Sequence, residues 1–228
     1  MTQKYTPRSL ATGDSIQQIA VRIKRQQRRL YLVGLVACIG IAGFVSFRYY
    51  QQKRNKVAQG EMFQAVYYFE QEAFDKALHG DGVYAGLLDI IKEYRFTQAA
   101  NLAHFYAGVS YLHKKDYTKA VQHLTKFSSN DFLLQARAWA LLGDAYAESK
   151  HYPSAVTYYM KAAAYKPNKV FTPIYLAKAA LAYEAQQAYG EALGCYQRIV
   201  QEFPGAAQYR DALKHTARLK AINTKTTP

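Results

Sequence analysis

The chain has 228 residues, enough for one sizeable helical domain plus an appendage and too few for an additional catalytic domain. Its formal charge of +14 would suit a nucleic-acid binder, but the excess is local. Residues 1–60 hold 11 Lys and Arg against the single acid Asp14, whereas residues 61–228 hold 19 against 15, so the part that can fold into a domain carries only +4 and nucleic-acid binding is not expected.

In chain order, a basic segment over residues 1–29 comes first and is followed by LYLVGLVACIGIAGFVSF, Leu30 to Phe47, 18 residues without a charge. At helical rise this run spans roughly 27 Å, near the hydrocarbon thickness of a bilayer. Tyr31, Tyr49 and Tyr50 sit where amphipathic rings favour the membrane interface, and Arg28, Arg29 and Arg48 close the run, so a spanning helix is expected over residues 30–50. A cleavable signal peptide would have a shorter basic region and small residues after the apolar run. Leu35-Val36-Ala37-Cys38 resembles the lipobox of bacterial lipoproteins, but mostly apolar residues continue past Cys38, where a mature lipoprotein turns polar. The positive residues near the helix slightly favour a cytoplasmic N-terminus, with the long domain translocated. Within the span, Gly34, Cys38, Ala42 and Ser46 recur at intervals of four and make a narrow row of small side chains, suited to close packing against a second membrane helix.

A polar linker is expected over residues 51–60, then a repeat domain over 61–221 and a disordered tail over 222–228. The repeats are legible as one block, Trp139-x2-Leu142-Gly143-x2-Tyr146 followed by Tyr152, Ala155, Tyr159, Ala162 and Pro167. This resembles the tetratricopeptide repeat, with Tyr159 in place of the usual Phe. The same skeleton recurs as Gly108, Tyr111, Tyr117, Ala120 and as Ala180, Tyr183, Tyr189, Ala192, with a weaker copy at Ala65, Tyr68, Phe74, Ala77. Internal offsets of 3, 6 and 3 hold in all four, and the copies are separated by 43, 35 and 37 residues, which predicts an insertion near His79-Gly80-Asp81-Gly82. A small residue on the first helix and Ala on the second let two antiparallel helices approach closely, and Pro167 and Pro204 end second helices. Four helical hairpins follow, capped by a last helix over 206–221 with Ala206, Tyr209, Leu213 and Ala217 as its apolar stripe. A fifth repeat cut short is the alternative for that segment. The fold class is therefore all-α: one spanning helix, then a superhelix of about four hairpins and a C-terminal cap.

This layout, with the stretches GDGVYAGLLDIIKEY (80–94), NLAHFYAGVSYL (101–112), TPIYLAKAALAYE (172–184) and YQRIVQEFP (196–204), resembles the ancillary subunit family of the bacterial SecYEG translocon and repeat proteins of Bacteroidetes-like bacteria. The resemblance implies an inner-membrane protein with a periplasmic repeat domain that contacts translocon subunits, periplasmic chaperones or their clients. A structural or oligomeric scaffold in envelope assembly, secretion or division is the competing role. The repeat family usually binds partners on the concave surface of the first helices, which by alignment implies Leu102, Phe105, Val109, Leu112, Arg137, Ala140, Asp144, Glu148, Ile174, Leu181 and Glu184. Relatives that clamp a terminal carboxylate use lysines and asparagines there, but the aligned places hold Phe105, Val109, Ala140 and Asp144, so no such clamp is expected. Leu102, Phe105 and Leu112 can equally be core between hairpins.

Catalytic and metal chemistry find little support. His104, His113 and His123 are spaced by 9 and 10, unlike the i, i+4 pair that shares a metal on one helix, and are read as surface or interhelix histidines. Gly80-Asp81-Gly82 lacks the ligand ladder of a calcium loop and reads as a turn. There is no Gly-x-Ser-x-Gly elbow, phosphate-binding glycine loop or Cys-x-x-Cys pair, so neither an enzyme nor a cofactor is expected. Cys38 and Cys195 do not report the redox compartment.

Overall fold

The computed structural model describes the backbone of residues 12–226 and the side chains of residue 31 and residues 33–222. Residues 1–11, in the expected basic segment, and 227–228, at the end of the expected tail, lie outside the described residues. All elements described are helices: α1 (Thr12–Glu70), α2 (Phe74–His79), α3 (Leu87–Glu93), α4 (Gln98–His113), α5 (Tyr117–Leu124), α6 (Phe132–Glu148), α7 (Tyr152–Ala164), α8 (Thr172–Ala185), α9 (Tyr189–Glu202) and α10 (Tyr209–Thr226). The chain divides into two units, one ending at Lys53 and the other beginning at Arg54.

In the first unit, the part of α1 containing the uncharged run is long and apolar enough to cross a membrane. Its large side chains, among them Val33, Ile39, Phe44 and Phe47, are exposed.

The second unit is built from hairpins, α4 with α5, α6 with α7 and α8 with α9, and each stacks on the next. The end of α1 and the short α2 form the first hairpin in chain order, with α3 following a loop, so that α4–α5, α6–α7 and α8–α9 are the second, third and fourth. The expected linker over 51–60 is helical, because Gln, Lys, Arg and Ala favour a helix, no Pro interrupts them, and Ala58 and Met62 bury one face. Likewise α10 runs to Thr226, so the described part of the expected tail is helical; no Gly or Pro stands between Lys214 and Thr226 to stop it.

The small residues of the repeat skeleton are the points of closest approach. Ala65, Ala77, Ala120, Ala155, Ala180 and Ala192 are all fully buried. A Cβ added at Gly108 would lie 2.5 Å from the Leu124 Cγ, and one at Gly143 would lie 2.5 Å from the Tyr159 ring. The repeat tyrosines set the turns between paired helices. The carbonyls of Tyr68, Tyr111, Tyr146 and Tyr183 accept hydrogen bonds from the N–H groups of Ala73, Asp116, His151 and Ala188, at 2.9, 2.9, 2.8 and 3.0 Å. The residue just before each of those donors, Glu72, Lys115, Lys150 or Gln187, has positive φ, the Schellman ending of a helix carried out without glycine. Asp116 then caps α5 through the Lys119 N–H at 3.1 Å, and Asp131 caps α6 through the Leu134 N–H at 2.9 Å.

The insertion falls where the repeat spacing placed it. Gly80 and Gly82 both have positive φ, and a Cβ at Gly80 would meet the Tyr84 carbonyl at 2.2 Å. The Asp81 carboxylate accepts hydrogen bonds from the Tyr68 hydroxyl at 2.7 Å and from the N–H groups of Val83 and Tyr84 at 3.0 and 2.8 Å. These bonds, the Tyr68 hydroxyl first, lower its pKa to about 2.

The cap differs from expectation. Helix α10 packs on α9, but its buried residues are Ala212 and Leu219, with His215 and Thr216 between them, while Leu213 and Ala217 are exposed. The inward row, Ala212, partly buried Thr216 and Leu219, is offset by one position, about 100° of helix rotation, from the expected stripe through Leu213 and Ala217. At the edge of that face His215 and Arg218 meet Glu184 on α8.

Candidate protein-binding surfaces

The residues aligned to the family's binding face do not form one surface. Phe105 and Val109 on α4 are buried, together with Leu124, Phe127, Ala138 and Leu142, in a cluster between the second and third hairpins, and Ala140 is buried against the fourth. These three are packing residues. They sit on the face of the first helix that meets the next hairpin, and alignment alone does not separate that face from the open one. Leu102 and Ile174 are partly buried beside the same clusters, and Leu112 beside the core formed by Ala65, Ala77, Ala103 and Tyr111. Arg137, Glu148 and Leu181 are exposed, Leu181 by 55%.

Both remaining acids are engaged inside the domain. Asp144 on α6 accepts hydrogen bonds from the Tyr159 hydroxyl at 2.7 Å and from Lys178 Nζ at 2.7 and 2.8 Å. Burial, then the Asp144 charge, pushes the Tyr159 hydroxyl well above its usual pKa. Glu184, with a side chain 15% exposed, receives the Tyr196 hydroxyl at 2.9 Å, lies 3.2 Å from His215 Nδ1 and pairs with Arg218. Its burial acts to raise the carboxyl pKa, but the Arg218 and Tyr196 hydrogen bonds and the nearby charges outweigh that and hold it below the ordinary value. Glu184 therefore ties the cap to the fourth hairpin rather than facing a ligand.

The histidines are distributed between helices. His104 on α4 and His123 on α5 meet with Nδ1 atoms 3.0 Å apart, and His113 stacks on Phe74 with ring centroids 4.6 Å apart. Burial, then the charges of His123 and Lys126, lowers the pKa of His104 to about 4. Sequence spacing did not reveal this pair, because it forms across a hairpin and not along one helix. Beside it an open cavity of about 480 Å³ is lined by the α3–α4 loop, the start of α4 and Lys126. The repeat pattern does not point to this cavity, since its lining comes from α3, the α3–α4 loop, α4 and Lys126, which meet only in the folded domain.

Residues 136–169 match one family model described as tetratricopeptide repeat, and residues 102–131 and 176–206 match a second with the same description. These segments coincide with the α6–α7, α4–α5 and α8–α9 hairpins. These three hairpins are thus tetratricopeptide repeats, a class that serves as a scaffold for protein–protein interaction. No curated protein matches the chain.

Proposed function

We propose that this chain is a single-pass inner-membrane protein with a cytoplasmic N-terminus, whose periplasmic repeat domain holds partner proteins as an ancillary subunit of the protein-export translocon. The observation that carries the reading is the combination of an exposed apolar segment in α1 with a tetratricopeptide-repeat domain in the same chain. The resemblance of residues 80–94, 101–112, 172–184 and 196–204 to the translocon-associated family supports the choice of partner. Exposed Leu181 on α8, flanked by Ala185 and partly buried Ala177 and Ile174 on one side of the helix, offers a contact for translocon subunits, periplasmic chaperones or clients.

A second reading, an envelope scaffold that works by self-association, is favoured by the row Gly34, Cys38, Ala42 and Ser46. Cys38 is exposed in the single chain, and a Cβ added at Gly34 would meet nothing within 4 Å. A photoreactive residue in place of Leu181, irradiated in cells before mild-detergent purification, separates the two. Crosslinks to translocon subunits or chaperones are expected, and crosslinks only to copies of this chain would establish the scaffold. Topology is checked with a membrane-impermeant thiol reagent on Thr227→Cys in a Cys195→Ser background. Labelling should need only a permeable outer membrane; labelling only after inner-membrane lysis would reverse the orientation.

A further inference from the structure

The cavity between the α3–α4 loop and the end of α5 carries three cations, Lys92, Arg95 and Lys126, with Phe96, Asn101 and His104, and no carboxylate lines it. Among the described residues none of the three cations belongs to an ion pair. By contrast Lys114, Lys119 and Lys178 face Asp75, Asp116 and Asp144. A pocket walled by unneutralised like charges is complementary to an anion.

Phe96 is the second observation. It is 86% exposed and has φ of 66°, a conformation that bulky side chains rarely adopt. Among the described residues the other non-glycine positions with positive φ are Glu72, Lys115, Lys150, Lys166 and Gln187, all polar. An aromatic ring that is both strained in its backbone and open to water has no folding advantage, and such outliers concentrate at binding sites. The turn that presents it is firm. The Thr97 N–H and hydroxyl donate to the Tyr94 carbonyl at 3.2 and 2.7 Å, and the buried Tyr94 donates its own hydroxyl to Glu61 at 2.8 Å. Asn101 fixes the α5–α6 connection beside it, donating to the Ser128 carbonyl at 2.8 Å and accepting its N–H at 3.1 Å. The cavity is thus preformed, which lowers the ordering cost of binding.

We propose that this cavity docks an acidic segment of a partner protein, whose carboxylates meet Lys92, Arg95 and Lys126 while an apolar side chain packs on Phe96. The inference rests on the scaffold reading and gives it a partner chemistry. A free phosphate would fill a small part of the volume and leave Phe96 uncovered, whereas a peptide offers charge and apolar area together. The site lies off the first-helix face whose aligned positions lack clamp residues.

The test uses the full chain in mild detergent and a fluorescent ten-residue peptide of alternating Glu and Leu, followed by anisotropy. Binding should weaken with salt and disappear for the peptide with Gln in place of Glu. Neutralising the wall with Lys92→Gln, Arg95→Gln and Lys126→Gln together should weaken it about tenfold or more without lowering Tm, since these side chains make no ion pair to lose. Phe96→Gly is the decisive variant: releasing the positive φ should hold or raise Tm while binding falls, a divergence that general unfolding cannot produce. Absent binding, equal binding by wild type and both variants, or equal competition by inorganic phosphate or phosphatidylglycerol vesicles would each overturn the proposal. Photocrosslinking from Leu181 reads a separate face, so the scaffold reading stands or falls independently.

Discussion

Lys178 on α8 holds Asp144 on α6 at 2.7 and 2.8 Å, and the Tyr159 hydroxyl on α7 completes the same carboxylate at 2.7 Å, so one acid links three successive helices. Asp144→Ala would leave the hydroxyl of the buried Tyr159 without its acceptor and should destabilise the domain by roughly 1–3 kcal/mol. Lys178→Met removes only a partly exposed ion pair and should cost about 1 kcal/mol or less. Urea unfolding of the two variants measures the difference; equal losses would show that the pair, not the tyrosine, carries the link.

The glycines separate into two kinds. A methyl group at Gly143 has the Tyr159 ring 2.5 Å away, whereas one at Gly190 or Gly194 on α9 meets nothing within 4 Å. Gly143→Ala should therefore cost about 1–3 kcal/mol through overpacking. Gly194→Ala, in a helix interior with free space, should stabilise by roughly 0.5–1 kcal/mol. Thermal melts of both variants check the opposite signs.

Phe105 and Leu181, both assigned by alignment to the binding face, should behave differently. Phe105 is buried with Phe127 and Leu142, so Phe105→Ala should cost roughly 3–5 kcal/mol, and any loss of partner capture should track loss of fold. Leu181→Ser removes an exposed side chain and should leave the unfolding midpoint nearly unchanged while reducing the partner captured in mild-detergent purification. Circular dichroism beside the capture assay distinguishes them.

The His104–His123 contact predicts acid sensitivity. His104 titrates near 6.5 when unfolded and near 4 when folded, because burial, then His123 and Lys126, disfavours its charged form. Between those values the unfolded chain binds the extra proton, so this contribution is complete above pH 6.5 and is lost as pH falls toward 4. His123 shifts in the same direction, again chiefly through burial, and adds to the slope. Glu184, whose carboxyl is held below its ordinary value, adds a loss at more acidic pH. Tm should fall across this window, and His104→Gln with His123→Gln should flatten the fall between pH 6.5 and 5, whatever it does to Tm at pH 7.5.

For the membrane segment, Gly34→Leu and Ala42→Leu should disrupt association of α1 with a partner helix, while Ile39→Leu and Val45→Leu on other faces leave it intact. Small residues allow the backbone contact that drives packing where lipid already satisfies apolar groups. A crosslinking or energy-transfer assay in membranes reads the four variants, and identical behaviour would reduce α1 to an anchor.

Local patterns settled much of this protein before any coordinates. Repeat offsets of 3, 6 and 3 put Gly108, Gly143 and the six alanines at helix crossings, since only a small side chain tolerates that distance, and the wider first spacing located the turn at Gly80-Asp81-Gly82. The uncharged run in α1 was equally legible, because its length and hydropathy are properties of consecutive residues. Tertiary structure decided what depends on residues far apart in the chain. Phe105 belongs to the core because Phe127 and Leu142 come to meet it. Arg218 on α10 meets Glu184, 34 positions earlier in the chain. Helix spacing cannot announce the approach of His104 to His123, or the gathering of Lys92, Arg95 and Lys126 around one cavity, because each of these arrangements exists only once separate helices have packed.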